Sequence, residues 1–136
     1  MGRTLAIDYG DRRIGLAVSD LLNITAQPVG HITVNGDKDA LNQIDEHIKD
    51  KEITKIVLGL PKNMDGSEGE RAQKTRRFSE KLENRFSIDV VFVDERLTSV
   101  SATRSLNDMN VSGRKKKGKI DTLSAVLILQ DYLRGV

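Results

Sequence analysis

Three short apolar runs, at 3–9, 53–60 and 88–93, constrain the fold of this chain more than any other feature. Each is rich in Val, Ile and Leu and bounded by turn formers, so each reads as a buried strand. Before the second and third runs the pattern takes a helical period. Leu41, Ile44 and Ile48 recur with charges between them, and Ala72, Thr75, Phe78, Leu82 and Phe86 form one face of a longer helix. Such crossovers make the three strands parallel and bring their C-terminal ends to one edge of a sheet.

Segment 13–19 follows the first strand after a tight Gly-Asp-Arg turn and must pair with it antiparallel. Segment 28–34 reads as a third strand, whose Pro28 and Gly30 suit a sheet edge. Ser67 and Glu70 have the spacing of a capping box before the long helix. Thr98 can cap a helix of about three turns reaching Asn110. The stretch Arg114, Lys115, Lys116, Lys117, Gly118, Lys119 reads as a loop, and residues 121–134 as a final helix, apolar on most sides and packed deep. The expectation is a single α/β domain over residues 1–136. Three antiparallel strands and two parallel β-α crossovers give a mixed five-stranded sheet with helices on both faces.

Three carboxylates stand out on this plan. Asp8 closes the first strand and Glu95 follows the last, so both belong to the edge where α/β proteins hold ligands. Asp121 opens the final helix directly after the basic stretch. Singly, each has an ordinary reading, as a turn former or a helix-start acid. Together they suit a divalent cation, because crowded carboxylates resist ionisation unless a charge compensates them. Mg²⁺ takes oxygen ligands while keeping waters and phosphate oxygens in its shell. Two such ions about 4 Å apart can serve both the attacking and the leaving oxygen of a phosphodiester. Gly10 allows close approach of backbone to a phosphate.

Charge and composition narrow the partners. The net charge is +2, from 22 Lys and Arg against 20 Asp and Glu. Five of the basic residues lie within 114–119, which leaves 17 against 20 elsewhere. One segment therefore carries the positive sign of the whole chain, next to the third acid. The absence of cysteine excludes a disulfide framework, a thiolate nucleophile and Cys-ligated zinc. Aromatics at 4% without Trp argue against a base-stacking platform. The longest apolar run, residues 125–129, is far too short to span a membrane, and charges interrupt the N-terminus before a signal core forms. A cytoplasmic location is expected.

The chain also resembles the YqgF-type family of bacterial proteins, relatives of the RuvC Holliday-junction resolvases in the ribonuclease H-like superfamily. The matching residues are Asp8-Tyr9-Gly10 with Arg13-Ile14-Gly15-Leu16-Ala17-Val18-Ser19-Asp20, then Gly59-Leu60-Pro61 with Met64-Asp65-Gly66-Ser67. Asp94-Glu95-Arg96-Leu97-Thr98-Ser99 and Lys119-Ile120-Asp121 with Ser124-Ala125 and Ile128-Leu129 complete the set. The resemblance implies a ribonuclease H-like fold and catalytic, metal-holding acids at Asp8, Glu95 and Asp121. It implies a nuclease in maturation of the 5′ end of 16S ribosomal RNA. Holliday-junction resolution is the older reading of the family. Ser124 stands three residues after Asp121, where the RuvC relatives carry a further acid.

The leading expectation is a phosphodiesterase using Mg²⁺ or Mn²⁺, with two ions bound together with a nucleic-acid substrate. Precursor rRNA is favoured and branched DNA is the alternative. Arg114, Lys115, Lys116, Lys117 and Lys119 would hold the substrate backbone, with Gly10, Lys62, Asn63 and Arg96 contributing from the strand ends. Arg96 could equally pair with Asp94. No dimerisation stripe is visible, so a monomer or weak homodimer is expected. Structural or surface roles are expected for His31 and His47. For Arg71, Lys74, Arg76 and Arg77, a solvated face balanced by Glu68, Glu70 and Glu80 is preferred over contact with nucleic acid. A nucleic-acid-binding regulator without cleavage activity is the alternative from another class. An actin-like kinase is disfavoured, since a chain of this length has no second lobe.

Overall fold

A computed structural model describes residues 2–95 and 118–135, together with the backbone of 114–117. Five strands form one sheet: β1 (Arg3–Asp8), β2 (Arg13–Ser19), β3 (Ala26–Thr33), β4 (Ile53–Leu60) and β5 (Val90–Asp94). Their order is β3-β2-β1-β4-β5. The first three are antiparallel neighbours, and β1, β4 and β5 run parallel, as the crossovers require. Three helices are described: α1 (Asp37–Asp50), α2 (Glu70–Phe86) and α3 (Arg114–Leu133).

Strand alternation divides the core in two. Leu5, Ile7, Ile14, Leu16, Ile56 and Leu58 pack with Ile44 of α1 and Phe78 and Leu82 of α2. Ala6, Ala17 and Val57 face the other way, against Ala125, Ile128 and Leu129 of α3. Because β1 is covered on both faces, it reads as an uninterrupted apolar run rather than an alternating one. Large side chains fill the first layer and small ones floor the second, so α3 rides close to the sheet. At Gly15 the position a Cβ would take is filled by the backbone carbonyl of Asp121. Among the described residues no helix is long and apolar enough to cross a membrane.

Several local expectations need correction. The basic stretch 114–119 is not a loop, because α3 already begins at Arg114. Lys and Arg are strong helix formers, which makes the extension favourable. Gly118 is tolerated inside it because the His31 ring lies where a Cβ would be. Asp121 is consequently two turns into the helix rather than at its start. The capping box does not form. Gly69 is the N-cap of α2, without a side-chain hydrogen bond. Ser67 instead donates to Asp65 at 2.6 Å and accepts from Asn63 at 3.0 Å, closing the turn after β4. Strand β3 starts two residues early, at Ala26, and β5 two late, at Val90. The edge position of β3 does hold, with a register shift opposite Pro28 and Gly30. The helix expected from Thr98 to Asn110 lies outside the described residues.

Candidate active site

Register shows how the acids are arranged. Asp8 sits directly opposite Gly15 of β2, and its α3-facing neighbour Ala6 lies beside Val57 of β4. Two residues on, Asp8 and Gly59 therefore share the α3 face at the C-terminal edge. Gly59 pairs with Val93 of β5, and the ladder continues one step further, where Glu95 N–H donates to the Leu60 carbonyl at 3.1 Å. Glu95 thus falls on the α3 face as well. Its carboxylate occupies the place a Cβ on Gly59 would need, next to Ile128 of α3. Two glycines in otherwise apolar strands make this corner: Gly15 admits the backbone of α3, and Gly59 admits Glu95. Asp8 is 6% exposed and Glu95 5%. Burying carboxylates so deeply is costly unless the surroundings compensate them.

Asp121 reaches the same corner from above, its carbonyl lying over Gly15. Its carboxylate accepts a 2.9 Å hydrogen bond from Arg13 Nε of β2, across 108 residues of sequence. Among the described residues, no three carboxylate, imidazole or thiol groups form a ready-made ligand set. The chemistry of the corner nevertheless suits a hard cation, since its donors are oxygen alone. Ser124, one turn beyond Asp121, adds a fully buried hydroxyl whose oxygen has no hydrogen-bond partner. Buried polar atoms are normally satisfied, and an oxygen left without a partner here is compatible with a bound group nearby.

The opposite side of the edge holds the residues after Asp8. The Tyr9 ring stacks on Phe78 of α2 at 4.2 Å between centroids, and its hydroxyl donates to Asp37 at 2.6 Å. Burial, followed by that hydrogen bond, pushes the Tyr9 hydroxyl well above the usual phenol range, so it remains a donor. Arg71 donates to the Tyr9 carbonyl and pairs with Asp11 at 2.8 Å. At Gly10 the Cβ position is taken by the Arg13 carbonyl, so the tight β1–β2 turn itself requires glycine there.

Three of the remaining sequence candidates lie among the described residues. Lys62 and Asn63 lie in the turn that follows β4, with the Asn63 amide engaged by Ser67. Lys119 is exposed on α3. Arg96 and the side chains of Arg114, Lys115, Lys116 and Lys117 lie outside the described residues. Arg13 and the Tyr9–Asp37 contact were not foreseen as parts of the site. Glycine inside a strand was the available signal for Gly15 and Gly59, since it marks close approach of another backbone or group.

A family described as "RuvX: Holliday junction resolvase" matches residues 2–135. The chain belongs to the RuvX family. A family member from Clostridioides difficile (strain 630), named "Putative pre-16S rRNA nuclease", is 48% identical over 132 residues, covering 97% of this chain and 94% of its own. One of the same name from Ligilactobacillus salivarius (strain UCC118) is 45% identical over 136 residues, covering 98% and 92%. The RuvX fold is also that of "T. thermophilus RuvC in complex with Holliday junction substrate", with a TM-score of 0.60 at 10% identity over 99% of this chain and 96% of that one. At that identity the likeness concerns the fold alone.

Proposed function

We propose that this chain is a metal-dependent phosphodiesterase that trims the 5′ end of precursor 16S rRNA, with Asp8, Glu95 and Asp121 as its catalytic acids. The observation that carries the reading is the pair of buried carboxylates, Asp8 and Glu95, on one face of one sheet edge, with Asp121 packed over Gly15 beside them. The names borne by relatives of nearly half-identical sequence support the substrate.

Asp8, Glu95 and Asp121 would hold Mg²⁺ or Mn²⁺, two ions with substrate bound. Such ions supply a water nucleophile at neutral pH and charge neutralisation at phosphate. The protein's own groups do the rest. Burial beneath α3 keeps bulk water from the Asp8 and Glu95 carboxylates, and the glycine floor fixes their position. Arg13 neutralises Asp121 and orients it. Lys119, with Arg114, Lys115, Lys116 and Lys117, would hold substrate phosphates, as would Lys62, Asn63, Arg96 and the Gly10 backbone. Such contacts are salt-sensitive and blind to sequence. Neutralising Lys115, Lys116 and Lys117 together should weaken binding and flatten its salt dependence.

The test is Asp8→Asn, which should abolish cleavage of a precursor rRNA fragment while leaving fold and substrate binding nearly intact. Full activity in that variant sinks the assignment. The description of the matching family as a Holliday junction resolvase supports four-way DNA junctions as a second substrate reading. Side-by-side cleavage of a precursor RNA and a junction decides between them. A binding protein without cleavage activity would show no uptake of divalent metal by calorimetry, with or without RNA.

A further inference from the structure

Across the sheet edge from the acids, a small polar cleft of about 220 Å³ opens between the end of β1 and helices α1 and α2. It is lined by Tyr9, Asp11, Asp37, Lys74, Arg77 and Lys81. The volume falls below that of ordinary small-molecule pockets, which start near roughly 300 Å³. A phosphate group fits it. Lys74, Arg77 and Lys81 recur at three and four residues and so share one side of α2. They span roughly 10 Å of helix, a length over which a polynucleotide strand presents at least two phosphates.

The cations outnumber what the cleft's own acids can neutralise. Asp37 receives Lys81 at 2.9 Å and the Tyr9 hydroxyl at 2.6 Å. Asp11 is taken by Arg71 at 2.8 Å. Lys74 stands 3.9 Å from both Asp11 and Glu70, a loose approach that leaves its charge available, and Arg77 is exposed. The cleft is also rigidly registered to the acids. Tyr9 follows Asp8 directly, its ring is stacked on Phe78 between Lys74 and Lys81, and Arg71 ties the start of α2 to the Tyr9 carbonyl.

We infer that Lys74, Arg77 and Lys81 form a phosphate track that holds single-stranded nucleic acid as it leaves the catalytic edge over the α2 face. The track rests on the phosphodiesterase reading and extends it, because it names where strand beside the scissile bond would be held. It also revises the preference for a merely solvated face. Arg76 keeps that role, paired with Glu68 at 2.7 Å on another side of the helix.

The test is fluorescence anisotropy with a labelled 20-nucleotide oligouridylate, and with an oligothymidylate of equal length, in EDTA so that nothing is cleaved. KCl is varied from 50 to 200 mM. Lys74→Ala with Arg77→Ala should reduce the slope of log affinity against log salt by about 1.4, at about 0.7 per phosphate contact. Affinity at 50 mM KCl should fall about tenfold. The charge-conserving pair Lys74→Arg with Arg77→Lys should restore the slope, and Lys38→Ala with Lys49→Ala on α1 should leave it unchanged. An equal loss with both polymers supports a phosphate track, and a loss confined to RNA assigns it to RNA. Wild-type affinity and slope in the alanine pair overturn the track while leaving the nuclease reading untouched. Failure of the wild-type chain to bind either polymer overturns the track, whereas the nuclease reading is judged separately by cleavage of precursor rRNA with metal present. A loss of cleavage in Asp8→Asn without a change in binding slope separates the two sites.

Discussion

Gly59→Ala probes the floor of the acidic corner directly. An added Cβ would lie 2.6 Å from Ile128 Cδ1 and 2.9 Å from Glu95 Cδ, and nearer still to Glu95 Oε1. Carbon contacts settle at roughly 3.5–4.0 Å, so the neighbours must move by about 1 Å. The Ile128 methyl can rotate aside, but the Glu95 carboxylate is packed under α3 and must lift from the sheet. Overpacking of this kind costs about 1–3 kcal/mol. For a chain of 136 residues, that lowers the melting temperature by about 3–10 °C. Displacing a reacting group by about 1 Å costs about 100-fold in rate. Thermal denaturation and single-turnover cleavage of precursor rRNA, at a temperature where the variant is fully folded, measure the two effects separately. Gly15→Ala should be more destabilising, because its Cβ meets the Asp121 carbonyl and the whole of α3 must shift. Cleavage by Gly59→Ala within twofold of wild type would refute the claim that Glu95, held against Gly59, acts in the reaction. An unchanged melting temperature would refute the packing itself.

Two further predictions concern α3. Arg13 and Asp121 are roughly one-third and one-fifth exposed, so their ion pair should contribute about 1 kcal/mol, at the upper end of the surface range. A double-mutant cycle with Arg13→Gln and Asp121→Asn should show that coupling in denaturant melts, and additive single effects would remove the pair as a link between β2 and α3. Asp131 is 4% exposed with an unpartnered Oδ2, and burial, opposed by Arg134, raises its carboxyl above the ordinary range. A raised folded-state value means that the cost is absent below the unfolded value near about 4 and sets in as pH climbs through the folded value. Asp131→Asn should therefore be more stable than wild type by about 1 kcal/mol at pH 8, with the difference gone at pH 4. Equal melting temperatures at pH 8 would show the carboxyl is compensated.

The parts of this fold legible in sequence are those governed by local period and chain chirality. Runs of Val, Ile and Leu gave β1, β4 and β5, and the 3.6-residue recurrence through Phe78 and Leu82 gave α2. The crossover connections then made these three strands parallel without a tertiary fact. Errors gathered where two local signals competed. Gly113 and Gly118 argued for a loop against four strong helix formers, and the helix prevailed because His31 packs where Gly118 lacks a side chain. Ser67 had capping spacing, yet its hydroxyl was better used by Asp65 and Asn63 in the turn.

Long-range pairing is the kind of fact that periodicity does not contain. Arg13 sits at an ordinary strand start, and nothing within ten residues of it announces Asp121. The pairing follows only once α3 is laid over β2, and α3 can lie there only because position 15 has no side chain. Gly15 is therefore the residue through which local pattern becomes site geometry. It sits opposite Asp8 in the register, sets the height of α3, and thereby sets how far Asp121 stands from the buried acids. The sheet edge also separates two groups of charge: Asp8 lies on the α3 face, while Tyr9, one step along β1, packs toward the cleft lined by Lys74, Arg77 and Lys81 of α2. On the proposed reading, the acids would hold metal on the first face and the α2 cations would meet phosphate on the second, a division that a uniformly basic surface could not make.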